Sequence, residues 1–390
     1  MKTASITTRL ASLGSEKWRV HVEGKKRAAH GEKLIFLSIG EPDLPPPTAI
    51  FDVAEKQMRG GRTRYSPGDG EKSILDALSR HYSRLMSRSI TPKQFIYLPG
   101  TQTALSVAFT CTIDIGDEVL LLDPYYATYE SVIAAPGGKV VAVPLDPDRA
   151  FHPDIAAIEA AVTPRTRALL LNSPSNPTGA VFTRAEIEAI CAIAKKHDLW
   201  IVSDEVYATV IHGDHTFFSP FMRKDMEERT IVVSSISKSH GIPGFRSGWI
   251  AASEDFVKRA LPVAESLLFG QQPFLQDAAA FALDNHFPEV KAMKDAYFAR
   301  GQVLIEGLRA SNRVKARMPE GGMFVMVDVR ATGLSGDAFA AKLLAEENVV
   351  TMPGESFGKC GAGHLRVALT VDESSIREGA ARIVRLAERA

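Results

Sequence analysis

Seven short apolar runs, most of them separated by stretches of helical periodicity, constrain what this chain can fold into more than any other feature. They are Phe95 to Leu98, Glu118 to Leu122, Val140 to Val143, Ala168 to Leu171, Trp200 to Ser203, Thr230 to Val233 and Trp249 to Ala252. Apolar runs of this length without polar alternation read as strands buried on both faces. The intervening helical stretches, such as Ala185 to Lys196, predict a mostly parallel seven-stranded sheet flanked by helices, an α/β architecture. In such sheets ligands bind beyond the carboxyl ends of the strands. The residues that follow each run are therefore the candidates for chemistry.

A chain of 390 residues is longer than one hydrophobic core supports, and its pattern changes twice. Residues 1–47 read as an N-terminal arm, with a polar helical stretch over residues 4–30 and a strand from Leu34 to Ile39, and they contribute to a smaller domain. The proline-rich Gly40-Glu41-Pro42-Asp43-Leu44-Pro45-Pro46-Pro47 crosses into a large domain over residues 48–285. Residues 286–390 read as a smaller α+β domain, with strands at Gly321 to Asp328 and His364 to Leu369 among helices such as Gly336 to Glu346. Lys+Arg and Asp+Glu both number 46, so no net field favours nucleic acid or an anionic membrane. Cys111, Cys191 and Cys360 are odd in number and lack CxxC spacing, which argues for a reducing compartment and against structural zinc. No run has signal-peptide or transmembrane length, and the expected location is cytoplasmic. His212-Gly213-Asp214-His215 sits in a polar turn and reads as a solvated loop rather than a metal site.

Five segments after strands stand out. Gly100-Thr101-Gln102 opens a helix, where free N–H groups and the helix dipole suit a phosphate, although such residues also serve as plain caps. Tyr126 lies in the aromatic cluster Tyr125 to Tyr129 and could stack on a flat ring or simply pack. Asn176 stands in the rigid turn Asn172 to Gly179. Asp204 ends a buried strand, where a carboxylate needs a cation, and Tyr207 is three residues on. Lys238, in Ser235-Ile236-Ser237-Lys238, stands among small hydroxyl residues with Arg246 eight positions later. An isolated lysine is nearly always a solvated one, but here it suits an amine nucleophile forming a Schiff base. Within the smaller domain Arg366 interrupts an apolar strand, to grip an anion or to make an internal ion pair.

Taken together, these residues describe one ligand, pyridoxal 5′-phosphate. Gly100-Thr101-Gln102, Asn176-Pro177-x-Gly179, Ser203-Asp204-Glu205-x-Tyr207, Ser235-x-Ser237-Lys238, Arg246 and Arg366 occur in the order and spacing of the fold-type I pyridoxal-phosphate aminotransferases of classes I and II, which the chain resembles from Gly40 to Arg366. Within that family it is similar to the aspartate, aromatic and basic amino-acid transaminases. Gly321 to Arg330 and Gly354 to Gly358 are similar to arginine–pyruvate transaminases. Leu44 departs from the family's more frequent aromatic residue, and Pro243 from its Thr or Ala.

The resemblance implies the roles. Lys238 would form the Schiff base with the cofactor and, once freed, move a proton. Asp204 would pair with the ring nitrogen, and Tyr207 and Asn176 with the ring oxygen. Gly100, Thr101, Gln102, Ser235, Ser237 and Arg246 would hold the phosphate, with Tyr126 on the ring face. Arg366 would bind the substrate α-carboxylate beside Asn176, and Gly40 would approach the substrate closely. Tyr65 would reach the phosphate of a neighbouring subunit, making a homodimer with shared active sites. The implied reaction moves an amino group from an L-amino acid, arginine or another basic donor, to a 2-oxo acid such as pyruvate or 2-oxoglutarate. Aspartate or aromatic specificity and a β-eliminating lyase on the same cofactor are the alternatives.

Overall fold

A computed structural model describes residues 2–11, 13–14 and 16–390 of the protein. All seven apolar runs lie in one seven-stranded sheet. Its strands, in spatial order, are Phe95–Leu98, Gly248–Ala251, Thr230–Ser235, Trp200–Asp204, Thr166–Asn172, Glu118–Asp123 and Lys139–Pro144. Gly248–Ala251 runs antiparallel to both neighbours, and every other pairing is parallel. The five strands from Phe95–Leu98 to Thr166–Asn172 are almost wholly buried because helices cover both faces. Among the covering helices, Thr101–Thr112 packs on one side of the sheet in a core with Ile96, Leu121 and Val202. Arg184–Lys196 packs on the other side with Leu120, Leu169 and Ile201. Its start is fixed by a capping box between Thr183 and Glu186.

Register decides which carboxyl-end residues become neighbours. Asn172 is opposite Asp204, and Asp204 is opposite Val233, two residues before Ser235. Three of the candidate segments thus emerge side by side from adjacent strands.

A second, antiparallel sheet has the order Met352–Pro353, His364–Ala368, Phe324–Asp328 and Lys315–Ala316. The helices Pro288–Leu308, Gly336–Glu347 and Glu373–Arg389 share its core, together with Val20 and Leu37 from the N-terminal part. The expected strand from Leu34 to Ile39 is shorter than its apolar run, because only Ile35–Phe36 pairs, parallel to Val349–Val350. The next residue divides its bonds: Leu37 still donates to the Val350 carbonyl but accepts from the Ala368 N–H of the second sheet, both at 2.8 Å.

The N-terminal arm forms the helices Ser5–Ala11 and Arg19–Ala29. Arg9 donates to the carbonyls of Ala134 and Ala135, and Lys17 pairs with Glu130 at 2.5 Å. One expectation is corrected here. His212 is buried rather than solvated, its Nε2 lying 2.8 Å from the Gly322 carbonyl in the loop that leads into the second sheet, whereas Gly213, Asp214 and His215 are exposed as expected. Among the described residues no cluster of three metal-ligating side chains occurs, and no helix is long and apolar enough to cross a membrane.

Candidate active site

The carboxyl ends of the central strands open into a cavity of about 320 Å³. Of the residues singled out in the sequence, Gly40, Thr101, Gln102, Tyr126, Asn176, Asp204, Tyr207, Ser235, Ser237, Lys238, Arg246 and Arg366 line it. Gly100 lies directly behind Arg246. Tyr65 is outside the cavity, 87% exposed on a patch that also includes Arg246 and Phe269.

Lys238 stands on the four-residue helix Ile236–Ser239, which continues the strand Thr230–Ser235 and is capped by Ser235 Oγ. Its Nζ donates to the Gly40 carbonyl at 2.7 Å. Burial lowers its pKa from the usual lysine range to about 8; Glu41 opposes that shift, while Arg366 and Arg246 reinforce it. This amine therefore loses its proton far more readily than an exposed lysine.

Asp204 is buried and accepts from the Tyr129 hydroxyl at 2.8 Å and from the Val206 N–H at 3.2 Å. Burial raises its carboxyl to about 6, against the lowering effect of those two donors. Among the described residues no cation pairs with it. Asn172 braces the same corner, donating to the Asp204 carbonyl at 3.0 Å and accepting from the Asn176 N–H at 2.8 Å.

Arg366 is 2% exposed and lies between two aromatic rings, its guanidinium carbon 4.3 Å from the Phe324 centroid and 4.5 Å from that of Phe357. It donates to Asn176 Oδ1 at 3.0 Å and to the Ser38 carbonyl, and its Nε has no protein partner. It makes no ion pair with a carboxylate among the described residues, and burial lowers its pKa to about 10. A planar fork held this way is suited to an incoming carboxylate.

At the other end, Gly100 has φ +83° and precedes the first turn of Thr101–Thr112. A Cβ there would lie 2.3 Å from Arg246 Nη2, so only glycine lets the guanidinium close over the helix start. The Thr101 hydroxyl is buried without a protein partner. A backbone cradle, a free hydroxyl and an arginine at a helix N-terminus suit a phosphate. A buried, unpaired carboxylate suits a protonated ring nitrogen at the far side of the same cavity. The residues present therefore fit pyridoxal phosphate.

Several lining residues were not singled out by sequence reasoning, and four of them bear on the site's geometry. Tyr129 belongs to the aromatic cluster already noted, but spacing alone selected Tyr126. Asn172 closes the strand whose turn was flagged. Phe324 and Trp18 come from distant segments, Trp18 being carried to the cavity by the Lys17–Glu130 pair and by the bond from Ser356 Oγ to the Lys17 carbonyl, at 2.7 Å.

Fold and site together define an enzyme that works with pyridoxal phosphate. The profile of the family described as aminotransferase class I and II matches residues 32–383. An arginine–pyruvate transaminase of Pseudomonas aeruginosa is 38% identical over 384 residues, covering 98% of this chain and 97% of that protein. An aspartate/prephenate aminotransferase of Thermus thermophilus is 32% identical, over 95% of each chain. A solved aspartate aminotransferase from Thermus thermophilus, a single mutant, has a TM-score of 0.93 at 31% identity, covering 99% of this chain and 100% of that one. A Pyrococcus protein has a TM-score of 0.94 at 30% identity, covering 98% and 99%. The chain belongs to the class I and II aminotransferases. It is a transaminase that moves amino groups between amino acids and 2-oxo acids with pyridoxal phosphate as cofactor.

Proposed function

We propose that this transaminase takes its amino group from a basic L-amino acid, arginine or a relative of it, and passes it to pyruvate or 2-oxoglutarate. The similarity to the Pseudomonas aeruginosa arginine–pyruvate transaminase along nearly the whole of both chains supports this donor. The observation that carries the site assignment is Arg366, a buried guanidinium with no internal carboxylate, facing the same cavity as Lys238.

When bound, pyridoxal phosphate supplies the electron sink that lets an amino acid lose its Cα proton. Lys238 Nζ, with its lowered pKa, would take that proton from Cα and deliver it to the cofactor's C4′ carbon, so that the amino group is left on the cofactor. Asp204, kept in place by Tyr129, would hold the proton of the ring nitrogen, and Tyr207 and Asn176 would bind the ring oxygen. The N–H groups of Gly100, Thr101 and Gln102, the hydroxyls of Thr101, Ser235 and Ser237, and Arg246 would hold the phosphate. Tyr126 would cover the ring face. Arg366 and Asn176 fix the substrate α-carboxylate, and Gly40 leaves room beside it.

The chain acts as a cytoplasmic homodimer, divided into an arm over 1–47, a cofactor domain over 48–285 and a smaller domain over 286–390. Support for pairing comes from Tyr65 and Phe269, which are 87% and 75% exposed beside Arg246, so that Tyr65 of one copy reaches the phosphate site of the other. The three cysteines are free, in keeping with a reducing compartment.

An assay of the purified holoenzyme with pyruvate and 2-oxoglutarate against a panel of amino donors tests the reading. Highest kcat/KM with arginine or lysine is the expected result, and no turnover of either overturns the donor assignment. Pyruvate and ammonia released from a single amino acid would mark β-elimination instead.

A further inference from the structure

His152 lies outside the cavity, just after the turn Pro147–Arg149, and both of its ring nitrogens face carboxylates. Nδ1 is 3.0 Å from both oxygens of Glu186, in the first turn of the helix Arg184–Lys196, and Nε2 is 3.1 and 3.2 Å from those of Glu320. An ionised carboxylate only accepts, and a neutral imidazole has only one N–H. Satisfying both contacts requires the doubly protonated ring.

Glu320 joins two parts of the active site. Its carboxylate accepts the Val181 N–H at 2.7 Å, and its backbone N–H and that of Gly321 donate to the Gly179 carbonyl at 3.0 and 2.9 Å. Gly179 closes the turn that presents Asn176. Four residues beyond Glu320 comes Phe324, whose ring stacks on Arg366. The two residues that flank the Arg366 guanidinium from this direction, Asn176 and Phe324, are therefore both tied to the backbone around Glu320.

We propose that His152 is a positioning residue for substrate binding: as an imidazolium bridging Glu186 and Glu320, it fixes the segment that sets Asn176 and Phe324 against Arg366. The inference rests on Arg366 as the α-carboxylate ligand and is independent of which amino acid is the donor. Hydrogen bonding to Glu320, opposed by burial and reinforced by Glu186, raises the His152 pKa to about 9. Glu320 stays below the ordinary carboxylate range in spite of its burial, held there by His152, the Val181 N–H and the charge of His215. On the histidine's own segment Arg149 and Asp154 pair with each other at 3.8 Å. The folded pKa lies above the ordinary 6.5, so the bridge is lost only as pH rises through about 9, and the stability it contributes is full below about pH 6.5.

The test compares the wild-type holoenzyme with His152→Gln and His152→Arg, reading kcat and KM for the best amino donor separately from pH 6.5 to 10, with thermal melting alongside. At pH 7.5 His152→Gln is expected to raise KM about tenfold with kcat within about threefold, and His152→Arg, which keeps a cation there, to restore KM. Above pH 9 the wild-type KM should climb while that of His152→Arg stays lower, a comparison that needs no neutral variant to fold. A lowered melting temperature in His152→Gln with unchanged KM, or parallel wild-type and His152→Arg profiles above pH 9, overturns the proposal. Arg366→Lys is the control for its premise. If KM is unmoved there, the reading of Arg366 fails first; if it rises there but not in His152→Gln, only the present inference fails.

Discussion

The Tyr129 hydroxyl donates to Asp204 Oδ2 at 2.8 Å, and this bond joins the helix Tyr129–Ala134 to the end of a central strand inside a fully buried corner. It is the one side-chain donor to a carboxylate that has no cation among the described residues, and it opposes the effect of burial on the Asp204 pKa. Tyr129→Phe should therefore raise that pKa further and lower kcat about tenfold. Loss of a hydrogen bond to a charged acceptor costs about 1.5–3 kcal/mol. The measurement is the acid limb of the pH profile of kcat/KM, expected to move upward; an unmoved limb would separate Tyr129 from Asp204.

Asp204 also makes a prediction for the protein without its cofactor. Its carboxyl is raised from 3.8 to about 6, so the folded state holds a proton that the unfolded state has already lost. Stability should then fall as pH rises from about 4 to 6, by about 3 kcal/mol for roughly two pH units at 1.36 kcal/mol each. Asp204→Asn should make this part of the melting curve against pH shallower. A slope from about pH 4.5 to 7 should persist, because Glu205, raised by burial from 4.5 to about 7, behaves in the same way. In the holoenzyme the same substitution should reduce kcat by two to three orders of magnitude, on the order of breaking a buried charge pair.

Lys238 sets a third expectation. With its amine lowered to about 8, capture of pyridoxal phosphate by borohydride reduction should rise with pH around that midpoint rather than around the usual 10.5. Lys238→Ala should abolish the capture and the transaminase reaction. It should not lower the melting temperature of the cofactor-free protein, since the lowered pKa marks a cost of burying the ammonium and the Nζ makes a single hydrogen bond, to Gly40. A midpoint near 10.5 would remove the electrostatic account of this lysine.

Gly40→Ala tests the packing beside Lys238. A Cβ at position 40 would lie 2.1 Å from Phe324 Cζ, so the ring must move, and with it one face of the Arg366 stack. Overpacking of this kind costs about 1–3 kcal/mol. KM for amino donors should rise more than kcat falls. Equal effects on both would argue that Phe324 does not govern the grip of Arg366.

How far the sequence reveals this molecule depends on how each feature is built. The sheet was legible because strands buried on both faces leave continuous apolar runs, as Thr230 to Val233 does, and boundaries differ by at most two residues. Leu34 to Ile39 misled because its backbone divides its bonds between two partners, which no local pattern records. His212 looked solvated among polar neighbours, and its burial comes from Gly322, over a hundred residues away. Motif spacing gathered most of the cavity lining, whereas Trp18 and Phe324 arrive from other layers of the fold. Tyr129 was within sight, but its bond to Asp204, 75 residues away, is a tertiary contact that spacing within the aromatic cluster does not record.

The antiparallel strand Gly248–Ala251 has a consequence for how this site tolerates change in chain length. It pairs with Thr230–Ser235 in a fixed ladder, Val233 opposite Ile250 and Ser235 opposite Gly248. The segment between them, carrying Lys238 near one end and Arg246 near the other, is moored at both ends to the same two rungs. Amine and guanidinium are thus spaced by the ladder rather than by the number of residues separating them. A slip of one rung would displace both chemical groups together, and an insertion next to Pro243 would disturb Arg246, which donates to the Pro243 carbonyl at 2.9 Å.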